Sequence, residues 1–508
     1  MIRFIVYLIT FLSGIYLSVA QQITARVIDA ETKESIPFAT IRIGENDLIT
    51  NDDGYFTLSG SNTEEGKLLE VSFIGYQSQS ISVNDLKLKN NIITLQAVVY
   101  DIGAVYVSNV KPDPNQIMKQ VNANLTKNYT KSDYQSMIFV RESNVFQPKK
   151  MEFEIKKSTG FSKSDLKEVN KDIERMTSSI TKNPPRHYTD KLLNLYRTKE
   201  SDKISIKVDV LKAIQLKDEN KATGIDELQE RTENLFLKHL DTTKFYRIKS
   251  GLIGSRDTIS FSKEFNDKKR AKKAAQNKDK AEAVFTNLNS AKTAINSFIA
   301  ETSPLHKENF EFITQPDLYT YTYVEATYMG NDLVYVLEFK PKKRKANYVG
   351  RLYINDEDYA VLRADFKLGE GKKLESLNLK LLLGIKFANN LHTGTIIYKK
   401  NSFNTTYQLQ YASIETGQYF YVHRPLKFIE ITSGDKDVLK LDFIVEGSSI
   451  EKTEFLSIST KPLNQSEFKE IKEKEFYYQT LKKYDPSVWK GYNIIEPVSE
   501  MKKFEVVE

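Results

Sequence analysis

Few residues in this chain are placed to do chemistry. There are five histidines, His187, His239, His306, His392 and His423, and no cysteine. None of the five stands in a His-x-x-Glu or His-Glu-x-x-His pattern, so the paired imidazoles that would hold a zinc ion beside a carboxylate base are missing. The absence of cysteine removes thiolate nucleophiles, thiolate metal sites and disulfides. Ser164 and Lys167 form a Ser-x-x-Lys spacing, which sets a hydroxyl beside an amine on one helical face. No Ser-Asp-Asn or Lys-Thr-Gly segment supports it, and lysine-rich sequence produces the spacing by chance. A Gly-x-Ser-x-Gly elbow and a Walker loop are also absent. Asn51-Asp52-Asp53-Gly54 carries acids that could bind calcium. With Gly54 at the sixth position of an EF-hand loop, however, Ile49 and Gly60 fall where the first and twelfth ligands belong. Asp356 and Asp358 lie in a turn, where aspartate is expected for backbone reasons. The expectation is no catalytic residue, no cofactor and no metal.

The elements around these residues begin with an address. Arg3 is the only charge before residue 26, and a largely apolar run follows from Phe4 to Leu17. Ser18-Val19-Ala20 puts small residues where a signal peptidase cuts, so residues 1–20 read as a secretory signal peptide. The run is shorter than the roughly 18–20 apolar residues that span a bilayer. Without cysteine, the lipoprotein route is closed. The 508 residues are too many for one core, so two or three domains are expected. The charge excess of +7 is mild, and export removes the chain from the genome. Nucleic acid is therefore not an expected partner, and an anionic membrane or an acidic protein is a better use of the excess.

Residues 21–108 read as a β-sandwich. Strand-favouring segments at Ile23–Ile28, Ala39–Ile43, Tyr55–Leu58, Leu68–Ile74, Ile92–Leu95 and Ala104–Val107 are separated by turn residues. Gly54 can take the positive φ at which the Asn51–Gly54 turn reverses the chain. Val27, Asp29, Thr32, Pro37, Ala39, Thr50, Asp53, Gly54, Phe56, Val71, Ser72, Gly75 and Tyr76 resemble the carboxypeptidase-regulatory-like domain. The resemblance implies a seven-stranded, transthyretin-type sandwich of the kind widespread in secreted Bacteroidota proteins and TonB-dependent receptors. Ala25 stands where a glycine is frequent. The domain is an accessory module, so the resemblance implies a fold and no activity.

After Pro112-Asp113-Pro114, the spacing Ile117, Val121, Leu125 predicts a helix over 114–127, and Tyr134–Glu142 reads as a strand. Residues 110–460 read as an antiparallel, half-barrel-like sheet interrupted by a charged helical insertion at about 162–310. Within the insertion, Ile225, Leu228, Leu235, Phe236 and Leu240 line one helix face, and Ala283 to Phe298 form a stripe. Lys263–Lys280 holds eight basic and three acidic residues, a solvated helical arm or one that meets anionic lipid or an acidic partner. From 318 onward, short alternating segments, Tyr319-Tyr321-Tyr323 first among them, predict a meander. Its pattern resembles the half-barrel of periplasmic lipoprotein carriers. The remaining strand is too little for the ~22-stranded barrel of an outer-membrane transporter. Residues 461–508 read as a helix and an extended tail, with Trp489 as a docking anchor.

The stretch Asn115–Glu142, ending Phe139-Val140-Arg141-Glu142, together with the segments Tyr484–Trp489 and Tyr492–Pro497, resembles uncharacterised Bacteroidota envelope proteins. The fold class expected is α+β and multidomain. The function expected is a non-enzymatic periplasmic scaffold or accessory subunit, peripherally associated with an outer-membrane protein complex, with envelope export or assembly as the role that likeness suggests. A lipid or lipoprotein carrier is the second reading, and an enzyme with a site built from scattered residues the third. N-terminal sequencing of the mature protein should begin at Gln21; retained Met1 would remove the signal-peptide reading.

Overall fold

The computed structural model describes residues 22–98, 111–129, 133–159, 162–200, 203–217, 245–250, 253–260, 287–330, 332–434, 436 and 438–506. The leader expected at 1–20, the strand expected at 104–107, the helix expected at 225–240 and the basic arm expected at 263–280 lie outside the described residues. The chain divides into two compact units.

The first unit is built on seven strands: β1 Ile23–Asp29, β2 Thr40–Ile43, β3 Asn46–Ile49, β4 Tyr55–Leu58, β5 Leu68–Ser72, β6 Gln79–Ser82 and β7 Ile92–Leu95. They form two sheets, β4-β1-β7 and β3-β2-β5-β6, with β1 and β7 parallel and the other pairs antiparallel. Alternate residues of both sheets, Ala25, Val27, Phe56 and Ile93 among them and Ile41, Leu69, Val71 and Ile81 opposite, close one core. A short helix, α1 Val83–Leu88, is capped by Ser82, whose hydroxyl accepts from Asp85 N–H, and it adds Val83 and Leu86.

The motif residues hold the turns. Asp29 Oδ1 accepts from the N–H groups of Glu31 and Thr32 at 2.7 Å each, and Oδ2 accepts from Tyr76 OH at 2.7 Å. The Thr32 amide, the Tyr76 hydroxyl and the Glu31 amide hold the Asp29 carboxyl down at about 2. Thr50 Oγ1 accepts from Ala39 N–H and donates to Ile36 C=O, both at 2.8 Å.

Residues 484–503 belong to this unit and not to a separate tail. Trp489 is 2% exposed, and its carbonyl accepts from Gln22 Nε2 at 3.2 Å. Asn51 Nδ2 donates to Glu496 C=O at 3.0 Å. The buried Glu496 carboxylate accepts from Thr57 Oγ1 and pairs with Lys502 Nζ at 2.6 Å. The extended segment therefore fills polar positions that the sandwich strands leave open. A linear reading of residues 461–508 could not show this, because the partners stand more than 400 residues earlier.

The second unit is built on one 14-stranded sheet. Helix α2 Pro114–Tyr129 leads into β8 Tyr134–Ser158, and then come α3 Lys163–Lys182, β9 Arg186–Glu200, β10 Lys203–Lys217, β11 Phe245–Ser250, β12 Ile253–Ser260, α4 Asn287–Glu301 and α5 Glu311–Thr314. The meander follows as β13 Tyr319–Met329, β14 Asp332–Pro341, β15 Tyr348–Asn355, β16 Val361–Leu368, β17 Ser376–Leu379, α6 Lys380–Leu383, β18 Ile385–Lys400, β19 Tyr407–Glu430 and β20 Val438–Pro462, then α7 Gln465–Glu470 and β21 Gln479–Leu481. The main path runs β13-β14-β15-β16-β18-β19-β20-β8-β9-β10-β21.

The α+β, multidomain class holds, with a large antiparallel sheet after the sandwich. The interruption differs from expectation. Residues 186–217 are two long strands of the main sheet, and β11 and β12 pair with each other, β11 also with β19. The charges that made β9 look solvated are buried in cross-strand pairs. Arg141 and Asp190 face each other in a two-pronged pair, Nε–Oδ1 and Nη2–Oδ2 both 2.8 Å, with each side chain almost fully buried. Lys191 Nζ reaches Glu142 Oε2 at 2.6 Å. In β10 the alternation Ile204, Ile206, Val208, Val210 carries the strand signal directly. The strands are also longer than their sequence segments: β8, β19 and β20 run 25, 24 and 25 residues.

One face of this sheet stays apolar because of a bulge. In β8, Tyr134, Ile138, Val140 and Phe146 share even parity, whereas Met151, Phe153 and Ile155 are odd. The register slips at Lys149, where Glu446 pairs with Lys150 and Gly447 with Pro148. The extra residue returns the later set to the same face. Helix α4 covers the first half, Ile295 packing with Ile138, Leu193 and Phe455. Helix α3 covers the second, with Ile180 on Phe146 and Met151, and Val169 and Ile173 on Ile155 and Leu441. A Cβ at Gly54, where φ is +80°, would sit 2.9 Å from Ser35 Cβ. Gly54→Val should therefore destabilise the first unit by roughly 1–3 kcal/mol. Urea unfolding of the full chain read through Trp489, its one tryptophan, should show an earlier midpoint; an unchanged midpoint would contradict the strained turn.

Candidate functional site

The residues singled out from the sequence do not converge. Ser164 and Lys167 are both exposed near the start of α3, and Ser164 Oγ lies 2.7 Å from Ser162 Oγ. Asn51 Oδ1 accepts from the N–H groups of Asp53 and Tyr55, and Asp53 Oδ2 accepts from Ser499 N–H, so the acidic turn is spent on backbone. Asn355 Oδ1 likewise accepts from Glu357 and Asp358 N–H. His306 Nδ1 accepts from Asn309 N–H, and His423 Nε2 lies 3.1 Å from Asp442. His239 lies outside the described residues. Among the described residues no three His, Asp or Glu side chains gather to hold a metal.

The tyrosine face of β13 is filled. Tyr319 OH donates to Glu311 Oε1 at 2.5 Å and Tyr321 OH to Phe312 C=O at 2.7 Å, both buried under α5. Phe312 stacks on Phe339 at 4.4 Å.

An open cavity lies elsewhere in the second unit, with a volume of about 260 Å³. Its floor is the paired residues Tyr134 of β8 and Arg197 of β9, its side is Tyr398, Tyr407 and Leu409, and its roof is residues 299–306, the end of α4 and the strap that follows it. Tyr129 closes one end. Three phenols donate to fixed partners: Tyr129 to Val361 C=O at 2.7 Å, Tyr398 to Thr302 C=O at 2.6 Å, and Tyr407 to Asp358 Oδ2 at 2.9 Å. Burial raises the Tyr129 and Tyr398 phenols well above their ordinary range and raises Tyr134 against the pull of Arg197, so all stay protonated near neutrality. Arg197 is 7% exposed and its guanidinium lies 5.9 Å from the Tyr134 ring. The sequence carried a signal for it: Leu193, Leu195 and Arg197 alternate onto one strand face, which puts a cation in phase with core leucines.

A second feature is exposed. Between β17 and β18 the chain leaves the meander at Lys380 for one helical turn, which Gly384 ends at φ +64°. Leu374 and Leu377 are half-exposed, Leu382 is 78% exposed and Leu381 fully so. Lys373 and Lys380 are exposed beside them. The register then places Lys386, Tyr421, Glu446 and Lys150 side by side across four strands, with Lys149 beyond.

Residues 23–106 match the CarboxypepD_reg-like domain, which assigns the sandwich and its turn motif. No curated protein sequence matches the chain. A solved structure from Bacteroides fragilis, a protein of unknown function described as membrane-associated, is 10% identical. The match covers 86% of this chain and 98% of that one at a TM-score of 0.11. That score is too low for structural inference.

His392 illustrates how the imidazoles are used. It is buried, with Nδ1 2.8 Å from Tyr348 OH, and burial pulls its value from 6.5 down to about 4. The unfolded chain therefore takes up the proton first. The stability that neutral His392 contributes is full above pH 6.5 and is lost as pH falls toward 4, by roughly 3 kcal/mol at most. His392→Gln should flatten that part of the acid dependence in urea unfolding at pH 7 and pH 4.5; an unaltered slope would contradict a buried neutral imidazole.

Proposed function

We propose that the protein is a non-enzymatic accessory protein of the bacterial envelope, held peripherally at a membrane surface and acting as a scaffold beside a membrane complex. The observation that carries this reading is the leucine tip at 374–382. Exposed apolar patches rimmed by charge are features of interaction surfaces. Here the rim is basic, and a leucine tip among lysines suits an anionic bilayer, where apolar insertion and head-group attraction add. Burying Leu381 and Leu382 is worth roughly 1.5–3 kcal/mol each. The leader and the CarboxypepD_reg-like domain support an exported setting. The solvent position of Ser164 and Lys167 and the structural use of His306 and His392 support a non-catalytic role. Envelope export or assembly is the role that the likeness to envelope proteins suggests for the complex it serves.

Co-sedimentation tests the surface. The full chain should bind vesicles of phosphatidylethanolamine with phosphatidylglycerol and bind phosphatidylcholine vesicles weakly. Leu381→Asp with Leu382→Asp should weaken binding at least tenfold and leave the melting temperature within about a degree, since both side chains are in solvent. Equal binding by the double variant would overturn the reading.

A further inference from the structure

We propose that the cavity floored by Tyr134 and Arg197 is a binding site for a small amphipathic carboxylate. The inference uses residues remote in sequence from the leucine tip, and either can fail without the other.

The argument starts from charge. A guanidinium nine-tenths buried is expected to be paired, because an isolated buried charge is strongly disfavoured. The same sheet obeys this rule at Arg141 with Asp190 and at Lys191 with Glu142. Arg197 does not. Among the described residues no carboxylate pairs with it, and its Nε is sealed from solvent with no hydrogen-bond partner. Its one aromatic contact, with Tyr134, leaves the fork of N–H groups unused. A cation left in this state beside a cavity awaits an anion from outside the chain.

The cavity then specifies the anion. Among the described residues Arg197 and His306 are the only basic ones lining it, and His306 Nδ1 is already engaged by Asn309 N–H. One guanidinium neutralises one charge and matches two coplanar oxygens, which is a carboxylate and not a phosphate dianion. The protonated Tyr134 phenol lies beside it as a neutral donor. The other walls include the rings of Tyr129, Tyr398 and Tyr407, whose hydroxyls are already hydrogen-bonded, with Ile299 and Leu409, and Thr302, Ser303 and Gln408 add a few polar groups among them. The rings and aliphatic side chains suit the short alkyl part of an amphipathic acid. At about 30 Å³ per water-sized unit, 260 Å³ accommodates on the order of nine heavy atoms, close to the ten of an eight-carbon acid. The roof at 299–306, tied down by Tyr398 OH on Thr302 C=O, would close over it.

Isothermal titration of the full chain with octanoate tests this. Octanoate should bind saturably, one per chain, while octylammonium and inorganic phosphate bind at least tenfold more weakly. Arg197→Gln should lose at least tenfold in octanoate affinity, and Arg197→Lys less. The variant should fold, because it removes an unpaired buried charge: its unliganded melting temperature should equal or exceed the native one, and the shift on adding octanoate should vanish. Absence of octanoate binding, equal binding of octylammonium or phosphate, or native affinity in Arg197→Gln would each overturn the proposal.

Discussion

Two segments about 300 residues apart, Tyr134–Ser158 and Val438–Pro462, pair along their whole length, and the second unit hangs on that seam. At about 3.3 Å per residue the pairing extends some 80 Å, far beyond an ordinary strand. Such a length needs its apolar face kept in phase, since one slip would turn every later side chain over. The Lys149 bulge meets that need. It brings Met151, Phe153 and Ile155 back to the side of Ile138 and Phe146, and its own charged side chain meets Glu446 at 2.9 Å. With the phase preserved, helices α3 and α4 cover the same face from opposite ends of the strand. The cavity lies where α4 runs out and the strap takes over.

The same sheet shows two treatments of buried charge. Arg141 meets Asp190 squarely on the neighbouring strand, and removing either partner alone would cost about 3–5 kcal/mol. For Lys191 burial alone would disfavour the charged form, and Glu142 more than reverses it. These pairs fix which strands lie side by side. Arg197 contributes nothing comparable to register, and its position at the cavity floor is what gives the second unit a place for a ligand.

The parts of the fold legible in the sequence were those set by local turn chemistry. Asp29, Thr50 and Gly54 act on residues within a short stretch of chain, so the sandwich could be read from them. The meander was legible from its alternation, though its segments proved to be pieces of longer strands. Strand β9 was not, because Asp190 and Lys191 look solvated until their partners on β8 are known. Arg197 was only half legible: its alternation with Leu193 and Leu195 puts it in phase with the core, but that phase is visible only once residues 186–200 are known to be a strand, and the pairing with Tyr134 comes from far along the chain. Leu381 and Leu382 carried the opposite ambiguity: an apolar run reads as core, and only the turn ended by Gly384 shows it facing solvent.

The placement of residues 484–503 within the first unit bears on how the chain matures. The sandwich strands are complete by residue 95, yet the segment that fills their polar edge with Glu496 and buries Trp489 comes nearly 400 residues later. At 5–20 residues per second, ribosomal synthesis of that interval takes roughly 20–80 s. For that period the sandwich lacks its own last piece, and chaperones would meet it unfinished. The sandwich is thereby completed only after every described strand of the second unit has been synthesised, and its completion registers that the large sheet has been made.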